Sequence, residues 1–205
     1  METQVASLAI KEANTHYPVH PLLKKRWSAR AFSQEEISED TLHTLIEAAA
    51  WSASSMNEQP WRYLYTTRRN PELFEAFHSC LMAGNQPWAK DADVLLLSLA
   101  EKNHQKTGQP NAYALHDVGA ANTSLLLQAA SMDIYGHMMG GFDRAKTSSL
   151  LQIPDHLEIV CFIALGYLAS PDSLEEPFRG RELNARTRKP LSEILYKDSL
   201  DLGLE

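Results

Sequence analysis

Cysteine is scarce in this sequence of 205 residues, which contains only Cys80 and Cys161. Two cysteines are too few for a disulfide scaffold, and their separation is not the spacing of a metal site. The sequence also lacks any apolar run near the roughly 20 residues that a membrane-spanning helix needs. Residues 1–14 include charged side chains and lack the apolar segment of a signal peptide. These absences predict a cytoplasmic protein without a membrane partner.

Positive charge is in deficit, with 19 lysine and arginine residues against 26 aspartate and glutamate residues and a net charge of −7. This balance argues against a nucleic-acid partner, because such binding depends on basic surfaces that neutralise phosphates. The hydrophobic share of 44% is that of a folded globular chain and excludes a disordered one. The length predicts one domain, or one domain with a long appendage.

The basic residues that are present fall into two groups near opposite ends of the sequence. One group contains Lys24, Lys25, Arg26 and Arg30, and the other contains Arg179, Arg181, Arg186, Arg188 and Lys189. In an acidic protein such groups can converge on one anion. Within the first group two guanidiniums flank Ser28, and arginine together with a hydroxyl donor suits a phosphate. The alternative for this group is a solvated basic turn.

Motifs of several enzyme classes are missing. The sequence has no G-x-G-x-x-G dinucleotide fingerprint, no Walker A loop and no nucleophile elbow. Its eight histidines form no H-E-x-x-H motif, and we predict no metal site. His116 and Asp117 are neighbours in a helical pattern and are expected on different faces of that helix, so we predict no catalytic triad.

Two further stretches carry residues that suit ligand binding. The stretch from Ser52 to Trp61 is dense in hydroxyl and amide side chains, which can hydrogen-bond a heteroaromatic edge. Its alternative is a capped helix end that leads into a strand. The pair Gly140-Gly141 permits close backbone approach, and free N–H groups there can meet a ligand acceptor. The alternative for this pair is an ordinary glycine turn.

Apolar periodicity predicts intermingled helices and strands. We expect helices over 39–51, from 71 onward, over 111–132 and over 143–151, and strands over 61–66, 94–99, 134–138 and 157–165. The strand at 94–99 is nearly continuous in apolar residues, which indicates burial on both faces. Because the elements do not alternate as βαβ units, we predict an α+β fold with helices around a mixed sheet. Residues after Pro171 have few periodic apolar positions, so we expect them to wrap another surface.

Five short sequence blocks follow one another along the chain. They are Arg-Trp-Ser-Ala-Arg-Ala-Phe at 26–32, Ala-Trp-Ser-Ala-Ser-Ser-Met-Asn-Glu-Gln-Pro-Trp at 50–61, Met-Gly-Gly-Phe-Asp at 139–143, Ala-Leu-Gly-Tyr at 164–167 and Arg-Thr-Arg-Lys-Pro-Leu at 186–191. In this order the chain resembles the FMN-dependent nitroreductase family. The resemblance extends from Pro21 to Ile194, and its most specific part is the block from Arg26 to Trp61.

The resemblance implies a mixed, largely antiparallel sheet flanked by helices, and an obligate homodimer with two FMN sites at its interface. It divides the chain into an N-terminal helical arm (1–20), a flavin-binding domain (21–170) and a C-terminal extension of the same domain (171–205). The extension embraces the partner subunit in the family. An obligate interface of this kind is large and apolar.

The resemblance also implies the residues of the flavin site. These are Arg26, Ser28, Arg186 and Arg188 for the FMN phosphate, Trp27 for main-chain contacts, Arg30 for the polar edge of the isoalloxazine, and Met139, Gly140 and Gly141 behind the ring. From the other subunit they are Ala53, Ser54, Ser55 and Asn57, which would line the dimethylbenzene side and the ribityl chain. Near Asn85 we choose Gln86 as a contact to the pyrimidine. Many relatives carry proline in place of Ala53 and an acidic residue in place of Gly140.

The resemblance implies chemistry as well. In the family a reduced nicotinamide, NADH or NADPH, gives hydride to flavin N5 and leaves before an oxidising substrate enters. The expected acceptors are nitroaromatics, quinones or similar small molecules, and no side-chain acid or base is required, so we name no catalytic residue. One alternative is another FMN reaction on this fold, such as dehalogenation, enone reduction or flavin fragmentation. The other is a non-catalytic flavin-binding dimer.

Overall fold

A four-stranded sheet forms the centre of the computed structural model, which describes residues 2–198. Its strands are β1 (Trp61–Thr67), β2 (Val94–Glu101), β3 (Ile134–Met139) and β4 (Leu157–Tyr167). Their order is β1-β2-β4-β3, and each neighbouring pair is antiparallel. All four predicted strands are confirmed, as is the α+β class with a largely antiparallel sheet. Within the described residues the mixed sheet of the prediction consists of antiparallel pairs alone.

Helices flank this sheet. Over residues 2–198 they are α1 (Glu2–Lys11), α2 (Pro21–Lys25), α3 (Glu39–Ala50), α4 (Pro71–Ser79), α5 (Gln86–Ala89), α6 (Ala114–Ser131), α7 (Arg144–Leu150) and α8 (Phe178–Leu183). Three of the four predicted helices begin after a side chain that caps a backbone N–H, namely Ser38, Asn70 and Asp143. The helices α2, α5 and α8 are too short for periodicity to reveal them.

Apolar side chains cover both faces of the sheet. Leu96 of β2 points to the face covered by α3 and α6, and its neighbour Leu97 points to the face covered by α4 and residues 26–32. Both leucines are fully buried. The prediction that this strand is buried on both faces is therefore confirmed, and residues 26–32 are placed directly against the sheet.

The chain after Pro171 packs partly on its own protomer. Leu174 joins the core, and α8 lies against α1. Residues 187–195 are exposed, including Leu191, Ile194 and Leu195. The embrace of a partner subunit stays a prediction, and residues 199–205 of the predicted extension lie outside the described residues. Over 2–198, no helix combines the length and apolarity that crossing a membrane requires.

Candidate functional site

Arg26, Arg186 and Arg188 line one cavity, although 160 residues separate the first two in sequence. The cavity has a volume of about 570 Å³, and its other walls come from residues 13–23 and 189–191. Burial lowers the pKa of Arg26, and the nearby Arg188 lowers it further. Burial also lowers the pKa of Arg186, with Arg26 and Arg188 adding to the effect. The two basic groups thus meet in space, and their mutual repulsion favours an anion between them.

Arg186 joins the two basic groups through its guanidinium. Its two Nη atoms donate hydrogen bonds to the backbone carbonyls of Lys24 and Arg26. Its Nε–H is buried and has no acceptor among the described residues. A buried donor without an acceptor costs about 1–3 kcal/mol, so an anionic ligand would relieve this cost. In Arg26 the whole guanidinium is available to a ligand, because it makes no hydrogen bond or ion pair with the described residues.

The 26–30 segment is fixed to the core by its alternate residues. The side chain of Trp27 is buried and donates its Nε1–H to Glu182 Oε1 at 2.9 Å. The carbonyl oxygen of Ala29 lies 3.0 Å from Nδ1 of His137 on β3. Because the Trp27 side chain is buried in the core, only its main chain can face a ligand. The hydroxyl of Ser28 makes no hydrogen bond within the described chain, so it can donate a hydrogen bond to a ligand.

Arg30, Trp88 and His137 form a stack beside this segment. The guanidinium carbon of Arg30 lies 5.7 Å from the centre of the Trp88 ring, and the Trp88 and His137 ring centres are 4.5 Å apart. Burial, with Arg30 as the next contributor, lowers the pKa of His137 to about 4. His137 is therefore neutral at neutral pH, and Arg30 provides the positive charge at this position.

We expect the free energy of unfolding to fall as the pH drops from about 6.5 to about 4, because only the unfolded chain protonates His137 in that window. The folded pKa lies below the unfolded one, so the loss is absent above this window and reaches up to about 3 kcal/mol at its lower end. Urea denaturation at several pH values measures it. His137→Gln should show a shallower decline than wild type, and replacement of the exposed His43 is the control. An equal decline in His137→Gln would contradict the expectation.

Gly140 and Gly141 follow β3, and Gly140 is exposed whereas Gly141 packs against Asn85 and Met82. No atom within 4 Å would meet a Cβ on Gly140, and neither glycine N–H donates to an atom of the described chain. The carbonyl of Gly141 accepts from the Met82 N–H and from Asn85 Nδ2, each at 3.0 Å. The glycine pair is thus held by its carbonyl while its N–H groups stay available to a ligand. The neighbouring Met139 has a buried side chain, and Gln86 Nε2 donates to the Leu81 carbonyl at 2.8 Å.

The 53–57 loop, which contains the predicted residues Ala53, Ser54, Ser55 and Asn57, has a strained backbone. Met56 has a φ of 53° and Asn57 a φ of 57°, in the left-handed region that disfavours most side chains. The N–H of Ser55 donates to Oδ2 of the buried Asp117 at 3.0 Å. Within the described chain, no hydrogen bond or ion pair joins this loop to Arg26, Arg186 or Arg188. Among the described residues, those that line the cavity around the arginines do not include this loop.

His116 and Asp117 lie on an exposed and a buried face of α6, as expected, but their side chains are nevertheless in contact. His116 Nδ1 lies 3.0 Å from Asp117 Oδ1, because an exposed histidine side chain can fold back along the helix to its neighbour. Glu182, which no sequence pattern indicated, is 1% exposed and accepts hydrogen bonds from Trp27 Nε1 and from the Arg30 N–H. No local signal identifies such residues, since a carboxylate that becomes buried looks like any other in a sequence. Over residues 2–198, no cluster of side chains could hold a metal ion.

Comparisons with known proteins agree with this geometry. A sequence model described as the Nitroreductase family matches residues 23–167, which is more than half of the chain. The chain is 25% identical over 187 residues to the oxygen-insensitive NADPH nitroreductase of Helicobacter pylori, covering 74% of this chain and 88% of that protein. It is 26% identical over 176 residues to an NADH dehydrogenase of Thermus thermophilus, covering 71% of this chain and 84% of that protein.

Solved structures are similar over nearly the whole chain. One, described as an oxidoreductase containing FMN, is 34% identical with a TM-score of 0.86, covering 91% of this chain and 95% of that chain. Another, from Desulfovibrio desulfuricans and in complex with FMN, is 22% identical with a TM-score of 0.70, covering 91% and 99%, and supports the fold alone. This chain belongs to the nitroreductase family, and that membership implies an oxidoreductase.

Proposed function

We propose that this protein binds FMN and uses NADH or NADPH to reduce nitroaromatics, quinones or similar small acceptors. The observation that carries the proposal is the meeting of Arg26, Arg186 and Arg188, with a buried Nε–H of Arg186 that lacks a protein acceptor. A phosphate monoester suits this set, because its charged oxygens accept several guanidinium hydrogen bonds at once. FMN carries one such phosphate, and the FMN in a 34% identical structure supports the same cofactor here.

Each predicted residue then has a role that its surroundings allow. Arg26, Arg188 and the Nε–H of Arg186 would bind the phosphate, with the Ser28 hydroxyl as a further donor. The N–H groups of Gly140 and Gly141 would donate to the ring, since no atom of the described chain accepts from them.

Charge at the ring would come from Arg30. It lies over Trp88, and the neighbouring His137 is neutral at neutral pH because burial lowers its pKa to about 4. When bound, FMN supplies the hydride chemistry. A fixed guanidinium and fixed N–H donors favour negative charge on the ring, which is the electrostatic contribution that a protein makes to a flavin reaction.

The proposal includes a homodimer. The 53–57 loop makes no bond to the arginine cluster of its own chain, so a second copy would bring its Ala53, Ser54, Ser55 and Asn57 to the ring and the ribityl chain. The end of α3 and this loop expose Trp51 by 84% and Met56 by 83%, and the start of α6 exposes Leu115 by 55%. The hydrogen bond from Ser55 to Asp117 joins this loop to α6, so large exposed apolar side chains on both elements support an interaction surface here.

The connection after β2 supports the proposed substrate class. A bridge between Asn103 and Pro110 closes this connection into a short turn. A turn of that length leaves little room for a lid over the site. An open site favours flat, varied acceptors such as nitroaromatics and quinones over one large enclosed substrate.

Two measurements on the purified protein test the proposal. The visible absorbance spectrum, followed by acid release and mass analysis of the pigment, identifies the bound flavin. Steady-state oxidation of NADH and of NADPH is then followed with a nitroaromatic or a quinone as acceptor. We expect FMN and acceptor-dependent oxidation of at least one nicotinamide.

Other outcomes separate the alternatives. A colourless protein that cannot be loaded with FMN would overturn the cofactor assignment. A yellow protein that neither nicotinamide reduces would favour a non-catalytic flavin-binding dimer. A flavin that a nicotinamide reduces but that neither acceptor reoxidises would favour a different FMN reaction.

A further inference from the structure

Lys11, the last residue of α1, is buried in spite of its charge, with only 6% of its surface exposed. Its Nζ donates to the carbonyl oxygen of Arg181 at 2.6 Å and to that of Asn184 at 2.7 Å. These carbonyls lie at the C-terminal end of α8, where backbone carbonyls lack helical partners and the helix dipole favours a cation. One lysine side chain thus fastens α1 to the end of α8.

The same end of α8 is also held through its own residue Glu182. Its carboxylate accepts hydrogen bonds from Trp27 Nε1 at 2.9 Å and from the Arg30 N–H at 3.2 Å. Burial lowers the pKa of Lys11, whereas the charge of Glu182 raises it. The end of α8 is therefore hydrogen-bonded both to α1 and to the 26–30 segment.

Arg186 follows two residues after Asn184, and its Nη atoms bond the carbonyls of Lys24 and Arg26. The stretch 181–186 is thus attached at Arg181, Glu182, Asn184 and Arg186. Past this stretch, residues 187–195 are exposed. Of these attachments, those at Arg181 and Asn184 depend on Lys11, which lies outside the residues that match the family model.

We propose that Lys11 is a positioning residue for the phosphate site. It holds the backbone at Arg181 and Asn184 so that Arg186 faces Arg26, and it thereby sets the preference for a flavin with a phosphate over one without. The inference rests on the proposed function, because it places the FMN phosphate among these arginines. Lys11 acts on FMN affinity through Arg186 and does not itself touch the ligand.

If Lys11 only stabilised the fold, a different result would be expected. Loss of general stability would weaken the binding of every flavin alike. Loss of the arrangement around Arg186 would weaken only binding that depends on the phosphate. Riboflavin has the ring and the ribityl chain of FMN without its phosphate, so the ratio of the two affinities isolates the role of Lys11.

The test compares wild type, Lys11→Met and Lys90→Met as full-length proteins stripped of flavin. Lys90 is exposed, and its side chain makes no hydrogen bond or ion pair with the described residues, so it is the matched control. FMN and riboflavin are titrated separately, and quenching of flavin fluorescence reports the dissociation constants. We expect Lys11→Met to weaken FMN binding at least about tenfold, the effect of one lost charge-assisted hydrogen bond. Riboflavin binding should change less than about twofold, and Lys90→Met should alter neither affinity.

A second comparison tests the route through Arg186. In an Arg186→Ala background, Lys11→Met should weaken FMN binding by less than about twofold, because the residue it positions is gone. If Lys11→Met does not fold, Lys11→Gln retains one donor and should show a smaller, FMN-selective loss.

Two results would overturn the positioning role. One is an equal loss for FMN and riboflavin, and the other is a loss that simply adds to that of Arg186→Ala. Either would leave Lys11 as a residue of general stability. Wild-type protein that binds neither flavin would overturn the proposed function instead, so the two failures are distinguishable.

Discussion

Replacing Arg26 and Arg188 together with alanine is expected to weaken FMN binding by about 10²- to 10⁴-fold. A hydrogen bond to a charged group contributes about 1.5–3 kcal/mol, and two guanidiniums would each lose at least one. Every 1.4 kcal/mol corresponds to about tenfold in affinity. The fold should tolerate the change, because the Arg26 side chain has no hydrogen bond or ion pair within residues 2–198 and Arg188 bonds only the carbonyl of Thr187.

Flavin retained after gel filtration, together with fluorescence titration of the stripped protein, measures this effect. Arg179→Ala is the matched control, because Arg179 belongs to the same basic group but pairs only with Glu176, at 3.4 Å on the surface. Exposed pairs of this kind contribute about 0–1 kcal/mol and affect the fold little. Full flavin retention by the Arg26→Ala, Arg188→Ala double variant would place the phosphate elsewhere.

Truncation after Asn184 is expected to give a folded monomer without flavin. The cut keeps Leu174 and Glu182, which are buried, and keeps both carbonyls that Lys11 holds. It removes Arg186 and Arg188 together with the exposed end of the chain. A cut directly after Pro171 would also remove Leu174 and Glu182 and would therefore confuse loss of the dimer with loss of the fold.

A double substitution separates dimer formation from phosphate binding. Ile194 and Leu195 are exposed by 59% and 73%, have no core of their own and lie outside the wall of the arginine cavity. Changing both to serine keeps the arginines and the cavity wall at Leu191, and we expect the dimer dissociation constant to rise at least about 10²-fold. Burial of one such side chain contributes about 1.5–3 kcal/mol, reduced by the cost of ordering the segment. Light scattering after size-exclusion chromatography measures the change, with Leu150→Ser as the control for an exposed leucine elsewhere. A double variant that stays dimeric at low concentration would contradict the expectation that the C-terminal extension embraces the partner subunit.

Strand and helix positions were accessible from the sequence because they depend on local repetition. The alternation of Leu96 and Leu97 between two buried faces produces a continuous apolar run, and a continuous run of strand length indicates a central strand. Ser38, Asn70 and Asp143 mark helix starts through hydrogen bonds that span only three residues. The helices α2, α5 and α8 have no such repetition, since each is two turns or shorter.

For the candidate site, too, the sequence indicated some features and the tertiary structure decided others. Arg26, Arg186 and Arg188 stand out in the sequence because basic residues are grouped in an otherwise acidic chain. Their individual roles differ in the structure, however, because the two Nη atoms of Arg186 donate hydrogen bonds to the carbonyls of Lys24 and Arg26. Only its Nε–H remains for a ligand, and that distinction depends on which backbone comes to lie beside it.

By itself, the sequence determined the apolar strands, the capped helices, the acidic net charge and the two basic groups, all of which are properties of neighbouring or repeating residues. Tertiary structure alone decided that Lys11 becomes buried against the end of α8, that Glu182 of α8 becomes buried against the 26–30 segment and that Asp117 holds the 53–57 loop. The physical reason is that a charged side chain is stable in the interior only beside a particular partner. Those partners lie up to 173 residues away in the chain, so no local pattern records them.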